Sequence, residues 1–322
     1  MQSQPFFSVI LPLYNKGRHI KRALDSVFRQ SCMDFEIIVV DDSSTDEGLK
    51  VVIGLQDSRI RIFSRNTPGP GGYAARNLAA ENAIGEWIVF LDADDEWYPE
   101  HLQKIKLAAN EYPNLCTIGA GWVSVRSNRE SANKYFVNKK GYGNRCIGLN
   151  GYLSEAIRDR RPFHTSAVAM NREFFLKIGG FPEGRAKKGG DLYLWVKAVA
   201  YGNSYWSAHL GARYYHTSDN KVIHTATFST VLIRSMVEEL TEFVSEDELK
   251  LLKIYANKMM RKAYIEKLSK GAELTDSLLD IGFYVGSFDY FERLLLMLLP
   301  SFVFRSKARI RSLLSRIKNG KR

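Results

Sequence analysis

The stretch that decides the fold is Trp87-Ile88-Val89-Phe90-Leu91-Asp92-Ala93-Asp94-Asp95. Its first five residues are apolar and typical of a buried strand, and three of the next four are aspartates. Clustered carboxylates repel one another unless a cation joins them, and hard oxygen ligands suit Mg²⁺ or Mn²⁺. The same aspartates can instead form a solvated turn that caps a helix beginning near Pro99. The stretch therefore predicts a strand that ends in either a metal site or a capping turn.

Apolar runs alternate with amphipathic segments throughout the first third of the chain. They predict strands over residues 7–13, 35–40, 60–63 and 87–91, and helices over residues 15–29, 47–55 and 73–84. Strands that alternate with helices at this spacing are typical of βαβ units, which build a mainly parallel sheet flanked by helices. Ligands bind such α/β sheets at the carboxyl ends of the strands. Because each predicted strand ends in polar residues, we expect one cleft rim to collect several of them.

The rest of the chain shows two other patterns. Residues 116–220 mix predicted short strands with loops and contain a predicted helix over residues 192–200, whereas the pattern is helical throughout from Phe228 onward. We therefore expect an α/β domain over residues 1–225 and a helical region over residues 226–322.

The positive charge of the chain is concentrated near its end. The net charge is +11, and residues 305–322 contain eight lysines or arginines and no acid. An apolar stretch, Phe291 to Phe304, precedes this basic segment, and four apolar residues within the segment recur at helical spacing: Ile310, Leu313, Leu314 and Ile317. This pattern favours a helix lying on an anionic membrane surface over a packed helix with a basic end. Since no DNA- or RNA-binding motif is evident, we expect no nucleic-acid partner.

The cysteines and the lengths of the apolar runs indicate the cellular compartment of the protein. Cys32, Cys116 and Cys146 are far apart and form neither a disulfide framework nor a zinc motif, which fits a reducing environment. Residues 1–7 do not resemble a secretory signal, and no apolar run reaches the roughly 18 residues that span a bilayer. We expect a cytoplasmic protein, peripheral on the inner face of the cell membrane.

A glycine-rich loop, Gly69 to Ala74, contains a formal G-x-G-x-x-A pattern. A nicotinamide-dependent oxidoreductase is therefore one alternative, although the predicted strand ends several residues before the first glycine and the dinucleotide fingerprint needs a tight turn. A non-enzymatic nucleotide- or nucleic-acid-binding protein is another alternative, because of the net charge. Arg76, on the first turns of the following helix, can reach a diphosphate or hold an acidic cluster.

Two further polar residues have a functional and a structural interpretation each. Asp191 lies between a glycine pair and an amphipathic helix, where it can be a general base or a helix N-cap. His216 can contact a metal or a phosphate, or it can be a structural histidine.

Six segments occur in one order along the chain, and together they resemble family 2 of the glycosyltransferases, which has the GT-A fold. They are Leu11 to Asn15, Val39 to Asp46, Ala75 to Asn77, Leu91 to Asp95, Gly179 to Phe181 and Gly190 to Trp195. The resemblance covers about residues 6–225. It implies a GT-A catalytic domain with a mixed, mainly parallel sheet flanked by helices, and a helical C-terminal extension.

The resemblance implies a role for each candidate residue. The nucleotide-sugar contacts would be Pro12, Tyr14, Asn15, Asp41, Asp42, Arg76, Asn77, Asp92, Ala93 and His216, with Asn220 near His216. The segment Asp92-Ala93-Asp94 matches the D-x-D motif, so Asp94, together with Asp92, would bind Mn²⁺ or Mg²⁺. Asp191 would be the catalytic base of an inverting transfer. Gly190 departs from the family pattern, because a glutamate usually precedes this aspartate.

The resemblance also implies the reaction and its partners. The donor would be a nucleotide-diphosphate sugar and the acceptor a glycan or lipid-linked glycan, in the synthesis of a surface polysaccharide such as capsule or O-antigen. The transferred group would be a hexose or an N-acetylhexosamine. The chain lacks the Q-x-x-R-W segment of processive synthases, so we expect it to add one or a few sugars.

Overall fold

The structure is a computed structural model that describes residues 4–127, 129–139, 143–216, 226–269 and 283. The chain divides into two compact units, Met1–Thr225 and Ala226–Arg322.

The first unit contains both strands and helices. The strands are β1 (Phe7–Leu13), β2 (Phe35–Asp41), β3 (Ile60–Ser64), β4 (Trp87–Phe90), β5 (Glu96–Trp97), β6 (Leu115–Arg126), β7 (Arg129–Ala132), β8 (Arg145–Ile147), β9 (Val168–Asn171) and β10 (Asn203–Tyr215). The helices are α1 (Gly17–Phe28), α2 (Gly48–Gly54), α3 (Tyr73–Asn82), α4 (His101–Glu111), α5 (Lys134–Lys139), α6 (Leu149–Ile157), α7 (Arg172–Lys177) and α8 (Gly190–Tyr201). Two short 3₁₀ turns, Pro70–Gly72 and Thr165–Ala167, precede α3 and β9.

All the described strands belong to one mixed sheet. Its order is β3-β2-β1-β4-β9-β6-β10-β5, with β7 paired to β6 and β8 paired to β10. The strands β1 to β4 are parallel to one another, β9 is antiparallel to both β4 and β6, and β10 is parallel to β6. The predicted mixed α/β sheet with flanking helices is therefore confirmed, and its parallel part lies in the first third of the chain as predicted.

The parallel part of the sheet is buried on both faces. In β2 every residue is buried, and in β1 every residue except Pro12 is buried. Helix α1 covers one face with Ile20, Ala23, Leu24 and Val27, which recur at helical spacing and are fully buried. Burial of Ile20, Leu24 and Val27 contributes roughly 1.5–3 kcal/mol for each side chain, so the core holds the carboxyl ends of these strands in fixed positions.

The middle of the chain differs from the prediction. Besides the predicted short strands and loops, it contains two long strands that were not predicted, the 12-residue β6 and the 13-residue β10. Their sequences do not alternate cleanly because β10 is irregular, with register shifts between Ser207 and Leu210 and between Leu210 and Ala212. Such irregularities interrupt the regular alternation of side chains along the strand, which hides the two-residue period.

Several predicted helix starts were also wrong. Helix α2 begins at Gly48, one residue after the predicted start, and Asp46 accepts a hydrogen bond from its first N–H (2.9 Å). Helix α8 begins at Gly190, two residues before the predicted start, because Gly189 has the left-handed φ of 90° that turns the chain into the helix. Asp191 is therefore inside the first turn and does not cap the helix.

The described part of the second unit is helical, as predicted. Helix α9 (Thr230–Leu240) packs against helix α10 (Glu246–Ser269), and Ser229 caps α9 by accepting a hydrogen bond from the N–H of Leu232 (3.1 Å). Among the described residues, no helix combines the length and the apolar content needed to cross a membrane. The predicted amphipathic tail over residues 291–322 lies outside the described residues.

Candidate functional site

Three aspartates meet just beyond the end of β4. Asp92, Asp94 and Asp95 each offer a carboxylate oxygen, and these oxygens lie within 4.8 Å of one another. Asp94 and Asp95 are buried, and the side chain of Asp92 is 27% exposed. Ala93 between them is buried as well. We call these four residues, Asp92 to Asp95, the acidic turn.

The acidic turn is held in shape from distant parts of the chain. The hydroxyl of Ser166 donates a hydrogen bond to the carboxylate of Asp95 (2.5 Å). The oxygen of that hydroxyl also accepts a hydrogen bond from the N–H of Asp92 (3.2 Å). The second carboxylate oxygen of Asp95 accepts a hydrogen bond from the N–H of Tyr215 in β10 (3.1 Å). Asp95 therefore uses both oxygens to join the end of β4 to the turn before β9 and to β10. Asp92 and Asp94 are left as the acids that can bind a ligand.

Three cationic side chains balance the acidic turn. Arg76 in α3 pairs with the carboxylate of Asp92, and Lys16 lies 3.0 Å from Asp94 Oδ2. Arg22 in α1 donates a hydrogen bond to the carbonyl oxygen of Asp94. Like charges this close repel one another, and these contacts compensate the repulsion and hold the acids in place.

Arg76, like the acid that it contacts, is held in place by several neighbouring groups. It is buried, donates a second hydrogen bond to the carbonyl oxygen of Gly71 (2.9 Å), and lies over the ring of Phe181 at 5.4 Å. Asn77, the next residue in α3, exchanges two 3.0 Å hydrogen bonds with the backbone of Phe181. Its observed contacts are thus structural, and its nucleotide contact stays a prediction.

The other predicted nucleotide-binding residues lie along the neighbouring strand ends. The carboxyl ends of β2, β1 and β4 share one sheet edge, because the N–H of Asp42 bonds to Leu13 and the N–H of Leu91 bonds to Ile10. Asp41 ends β2, and Pro12, paired with Val40, lies near the end of β1.

Asp42 organises the adjacent loop. It pairs with Arg65 and accepts a hydrogen bond from the N–H of Gly69 (2.9 Å). Tyr14, 41% exposed, follows β1. Asn15 has a left-handed φ of 50° and accepts a hydrogen bond from the N–H of Thr45 (2.7 Å). This edge therefore presents carboxylate and amide oxygens in loops that hydrogen bonds hold in place.

The glycine-rich loop does not have the dinucleotide-binding geometry. β3 ends at Ser64, five positions before Gly69, and the glycines form the 3₁₀ turn Pro70–Gly72 before α3 begins. A dinucleotide fingerprint needs the strand to run directly into the turn. The loop therefore gives the oxidoreductase alternative no support.

Asp191 lies in the first turn of α8 and is partly exposed. Desolvation of its carboxyl group raises its pKa, against the lowering effect of the positive charges of Arg161 and Arg76 and of the N–H groups of Leu192 and of its own backbone. A carboxylate with a raised pKa is a stronger base, as proton abstraction requires.

An aromatic cluster stands beside the acidic turn. The rings of Trp122 and His164 lie 5.0 Å apart, those of His164 and Tyr214 lie 4.7 Å apart, and those of Tyr214 and His216 lie 4.5 Å apart. Burial, followed by the negative charges of the acidic turn and of Asp191, raises the pKa of Tyr214.

Tyr214 is thus close to both predicted catalytic elements. His216 lies at the end of this cluster, and its N–H bonds to the carbonyl of Val125 (3.0 Å). Asn220 is outside the described residues.

The structure therefore brings together Asp92, Asp94 and Arg76 and places Asp191 within electrostatic reach of Arg76. Sequence analysis did not identify Lys16, Ser166 and Tyr214. Lys16 directly follows the predicted Tyr14-Asn15 segment, and its positive charge at the end of a strand could have indicated a role in the site. Ser166 and Tyr214 belong to no pattern that a single sequence reveals.

The acidic turn fits a divalent metal ion. Its donors are carboxylate oxygens of Asp92, Asp94 and Asp95, which lie close enough together for one ion to contact them. Ser166 and Tyr215 bond to Asp95 and not to the carboxylates of the other two. Octahedral Mg²⁺ and Mn²⁺ sites use one or two carboxylates and leave the remaining positions to substrate oxygens.

Comparisons with known proteins agree with this geometry. One relative is an uncharacterized glycosyltransferase of Haemophilus influenzae, 29% identical over 174 residues, which are 54% of this chain and 55% of the relative. Another, from Nostoc, is 43% identical over 101 residues, which are 30% of this chain and 31% of the relative. A third, from Rickettsia felis, is 43% identical over 97 residues, 30% of this chain and 16% of the relative. The chain thus spans only part of the length of the relatives it matches.

Solved structures with the same fold include TarS of Staphylococcus aureus. Its fragment 1–349 in complex with UDP-GlcNAc has a TM-score of 0.69 and 21% identity, over 85% of this chain and 77% of that one. The complex of the same fragment with UDP has a TM-score of 0.69 and 19% identity, over 98% of this chain and 92% of that one. This likeness confirms the predicted GT-A type of fold.

The sequence profile of glycosyl transferase family 2 matches residues 8–177, just over half of the chain. These residues include β1 and β2, the acidic turn, α3 with Arg76, and Ser166. The chain therefore belongs to glycosyl transferase family 2.

Proposed function

We propose that this protein is an inverting glycosyltransferase that moves a sugar from a nucleotide-diphosphate sugar to an acceptor hydroxyl. The observation that carries the proposal is the proximity of the acidic turn and Asp191. Arg76 pairs with Asp92 and its charge also acts on Asp191, and the charges of the acidic turn and of Asp191 both act on Tyr214. A site of this kind can bind a diphosphate and remove a proton, which are the two tasks of the reaction.

The donor side of the site is the edge formed by β2, β1 and β4. Asp41 and Asp42 present carboxylates that can accept hydrogen bonds from a base N–H or a ribose hydroxyl. The UDP-GlcNAc and UDP complexes of TarS support a nucleotide-sugar donor, and we extend this to a hexose or an N-acetylhexosamine as the transferred group. Arg76, paired with Asp92, can turn part of its guanidinium toward a phosphate oxygen.

A divalent ion, Mn²⁺ or Mg²⁺, would be held by Asp94 and Asp92. When bound, it would supply positive charge against the diphosphate that leaves. The chain itself supplies the fixed carboxylates, their orientation through Ser166, and the exclusion of water by the buried residues of the acidic turn.

Asp191 is the general base in this proposal. Its carboxylate accepts the proton of the acceptor hydroxyl as that oxygen bonds to the anomeric carbon. The bond between the anomeric carbon and the diphosphate oxygen breaks at the opposite side, and its electron pair leaves with the diphosphate. One displacement of this kind inverts the anomeric configuration and needs no covalent enzyme intermediate.

The acceptor and the location extend the same proposal. We infer a glycan or lipid-linked glycan acceptor in surface polysaccharide synthesis, reached from the cytoplasmic face of the cell membrane. The support is the sequence of residues 291–322, in which an apolar run precedes eight basic residues without an acid.

The experiment that tests the function is a binding and turnover panel. UDP, GDP, CDP and dTDP are compared by thermal shift with and without Mn²⁺, beside NAD and an oligonucleotide, and sugar nucleotides of the stabilising base are then assayed for transfer. We expect one nucleoside diphosphate to stabilise the protein only with the metal. Stabilisation by NAD or by the oligonucleotide, and none by any nucleoside diphosphate, would contradict the proposal.

A matched pair of variants sharpens this panel. Asp94→Ala should lose metal-dependent nucleotide binding and transfer while keeping its thermal unfolding cooperative. Asp25→Ala also removes an aspartate paired with a lysine, Lys21 at 2.9 Å, but on the exposed face of α1, and it should behave as wild type. Wild-type turnover in Asp94→Ala, or in EDTA, would exclude the metal role.

A further inference from the structure

The start of helix α8 is held by a side chain from the far side of the sequence. Gly190 is the first residue of the helix, and its N–H has no carbonyl partner within the helix. It donates a buried hydrogen bond of 2.9 Å to the hydroxyl oxygen of Tyr73, the first residue of α3 and 117 positions earlier in the chain. The residue that follows this anchored N–H is Asp191.

The ring of Tyr73 occupies the space beside Gly190. A Cβ atom on residue 190 would lie 2.7 Å from Cζ and 2.8 Å from Cε2 of that ring, and 2.9 Å from Cγ of Pro182. A Cβ atom on Gly71 would meet the same two ring atoms at 2.7 and 2.8 Å. Side chains do not approach this closely, so the ring fits only because both neighbours are glycines.

Tyr73 cannot easily move out of this position. It is 5% exposed and stacks on Phe181, with the ring centroids 5.6 Å apart and the planes 10° from parallel. Phe181 in turn is held by both backbone hydrogen bonds of Asn77 and by the guanidinium of Arg76. Displacing the ring to admit a side chain at residue 190 would therefore disturb several packed groups at once.

Helix α3 thus contacts both parts of the site. Tyr73 and Arg76 are three positions apart and share a face of the helix. Arg76 reaches Asp92 of the acidic turn, and Tyr73 reaches the backbone next to Asp191. One rigid element therefore fixes the distance between the predicted metal-binding acid and the predicted base.

We propose that Tyr73 is a positioning residue for the base: its hydroxyl fixes the first N–H of α8, and its ring replaces the side chain that residue 190 lacks. This inference rests on the proposed function of Asp191. The resemblance to family 2 predicts a glutamate at residue 190, where this chain has a glycine. In this chain the support comes from α3, and Gly190 is the condition that lets Tyr73 provide it.

The first experiment removes only the hydroxyl. In Tyr73→Phe the ring and its stacking remain, but the N–H of Gly190 loses its buried acceptor. We expect kcat to fall roughly tenfold with the donor KM nearly unchanged, since one hydrogen bond of typical strength is lost next to the base. The acidic limb of the pH–rate profile should move to lower pH, because a looser helix start lets water reach Asp191. Tyr135→Phe, which removes another buried phenol hydroxyl, is the matched control and should change neither quantity.

The second experiment exchanges the two supports. Gly190→Glu alone should lose activity through the clash with the ring, and Tyr73→Ala alone should lose it through the missing support. The double variant Tyr73→Ala/Gly190→Glu should lose less activity than the two single losses combined, because removing the ring relieves its clash with residue 190 and leaves only the contact with Cγ of Pro182. Strict additivity of the two losses would overturn the inference, as would a wild-type kcat and pH profile for Tyr73→Phe.

A readout independent of turnover separates this inference from the proposed function. Hydrogen exchange of the peptide that contains Gly190 should be about tenfold faster in Tyr73→Phe than in the wild type and unchanged in Tyr135→Phe. If the wild type transfers no sugar with any donor, the proposed function fails, while the exchange data still decide whether Tyr73 fixes the helix. Unchanged exchange in Tyr73→Phe overturns the inference whatever the activity.

Discussion

The ammonium group of Lys16 lies 3.0 Å from Oδ2 of Asp94, with only 13% and 9% of the two side chains exposed. The carboxylate that we expect to bind the metal is therefore already paired with a cation of the chain. A metal ion that enters must compete with the ammonium group of Lys16 for this carboxylate.

Replacing Lys16 by methionine should strengthen metal binding. The variant Lys16→Met keeps the length of the side chain and removes the competing charge, so the Mn²⁺ concentration for half-maximal activity should fall about tenfold. A metal titration of the transfer rate measures this. Lys21→Met, which breaks an exposed pair, should leave the titration unchanged. An unaltered or higher metal requirement in Lys16→Met would show that the two cations do not compete.

Replacing Asp191 by asparagine should remove the proton acceptor and little else. We expect kcat to fall by roughly 100-fold or more while donor affinity is nearly preserved. In the wild type the rate should decline as the pH falls through the raised pKa of Asp191, because the protonated acid cannot act as a base. Asp191→Asn should lose this limb of the profile. An equal loss of donor affinity would place Asp191 in the donor site, and a product with retained configuration would refute the single displacement.

A buried histidine pair should make stability depend on pH. His101 Nδ1 and His209 Nε2 lie 3.0 Å apart, and Ser207 Oγ lies 2.8 Å from the other nitrogen of His209. Burial, with the nearby charge of Lys104, lowers the pKa of His209 to about 3, and burial, with the nearby His209, lowers that of His101 well below 6.5.

The sign follows from proton binding. Below pH 6.5 the two histidines bind protons in the unfolded chain but stay neutral in the folded chain. As the pH is lowered from 6.5, the free energy of unfolding should therefore fall by about 1.4 kcal/mol per pH unit for each histidine. Urea unfolding at pH 7.5, 6.0 and 5.0 measures the slope. His209→Gln should have the shallower slope, and equal slopes in both proteins would contradict the neutral buried pair.

Glu36 should matter for stability and not for turnover. Its buried carboxylate accepts hydrogen bonds from Ser8 Oγ (2.6 Å) and from the N–H of Ile84 (2.7 Å), and it pairs with Arg61 at 2.7 Å. These contacts lie at the beginning of the strands, opposite the acidic turn.

Glu36→Ala leaves several buried donors unpaired and should cost about 3 kcal/mol of unfolding free energy. Its kcat, measured well below the unfolding temperature, should equal that of the wild type. Glu47→Ala, which breaks an exposed pair with Lys50, should be close to neutral in both measurements. A large change of kcat in Glu36→Ala would show that the two edges of the sheet are coupled.

The basic tail should bind anionic membranes. The sequence of residues 305–322 combines apolar residues at helical spacing with eight basic residues, so the apolar face supplies burial and the basic face supplies attraction to lipid headgroups. The full chain should float with anionic liposomes, less so in high salt and weakly with neutral ones. A variant with Arg309, Arg311, Arg316 and Lys318 changed to glutamine should lose most of this binding and keep its nucleotide affinity. Equal flotation of both proteins would assign the tail another role.

The fold of the first third could be predicted because its signals are local. The fully apolar runs of β1, β2 and β4 and the helical period of α1 are each contained in a dozen residues, and the polar residue at each strand end follows directly. The acidic turn and Arg76 could be identified for the same reason. The long strand β10 could not, because its irregular register hides the alternation that marks a strand.

The supporting residues of the site could not be predicted because their partners are distant in the sequence. Ser166 touches Asp95 across 71 positions, and Tyr73 touches Gly190 across 117. Nothing local to a serine in a 3₁₀ turn or to a tyrosine after two glycines indicates such a contact. The glycine at residue 190 was visible as a departure from the family pattern, but only the packing of Tyr73 gives it a reason.

The way in which Asp95 is held has a consequence for the newly made chain. Its two carboxylate oxygens accept hydrogen bonds from the hydroxyl of Ser166, which is 71 residues later in the chain, and from the N–H of Tyr215, which is 120 residues later. A ribosome that adds roughly 5–20 residues per second needs several seconds to supply them after the aspartates have been made. Until then the nascent chain carries all the acids of the turn without the geometry that makes them a site. The geometry of the acidic turn therefore depends on residues that are made last in the first unit, and a chain that ends before Tyr215 would lack one of the two contacts that hold Asp95.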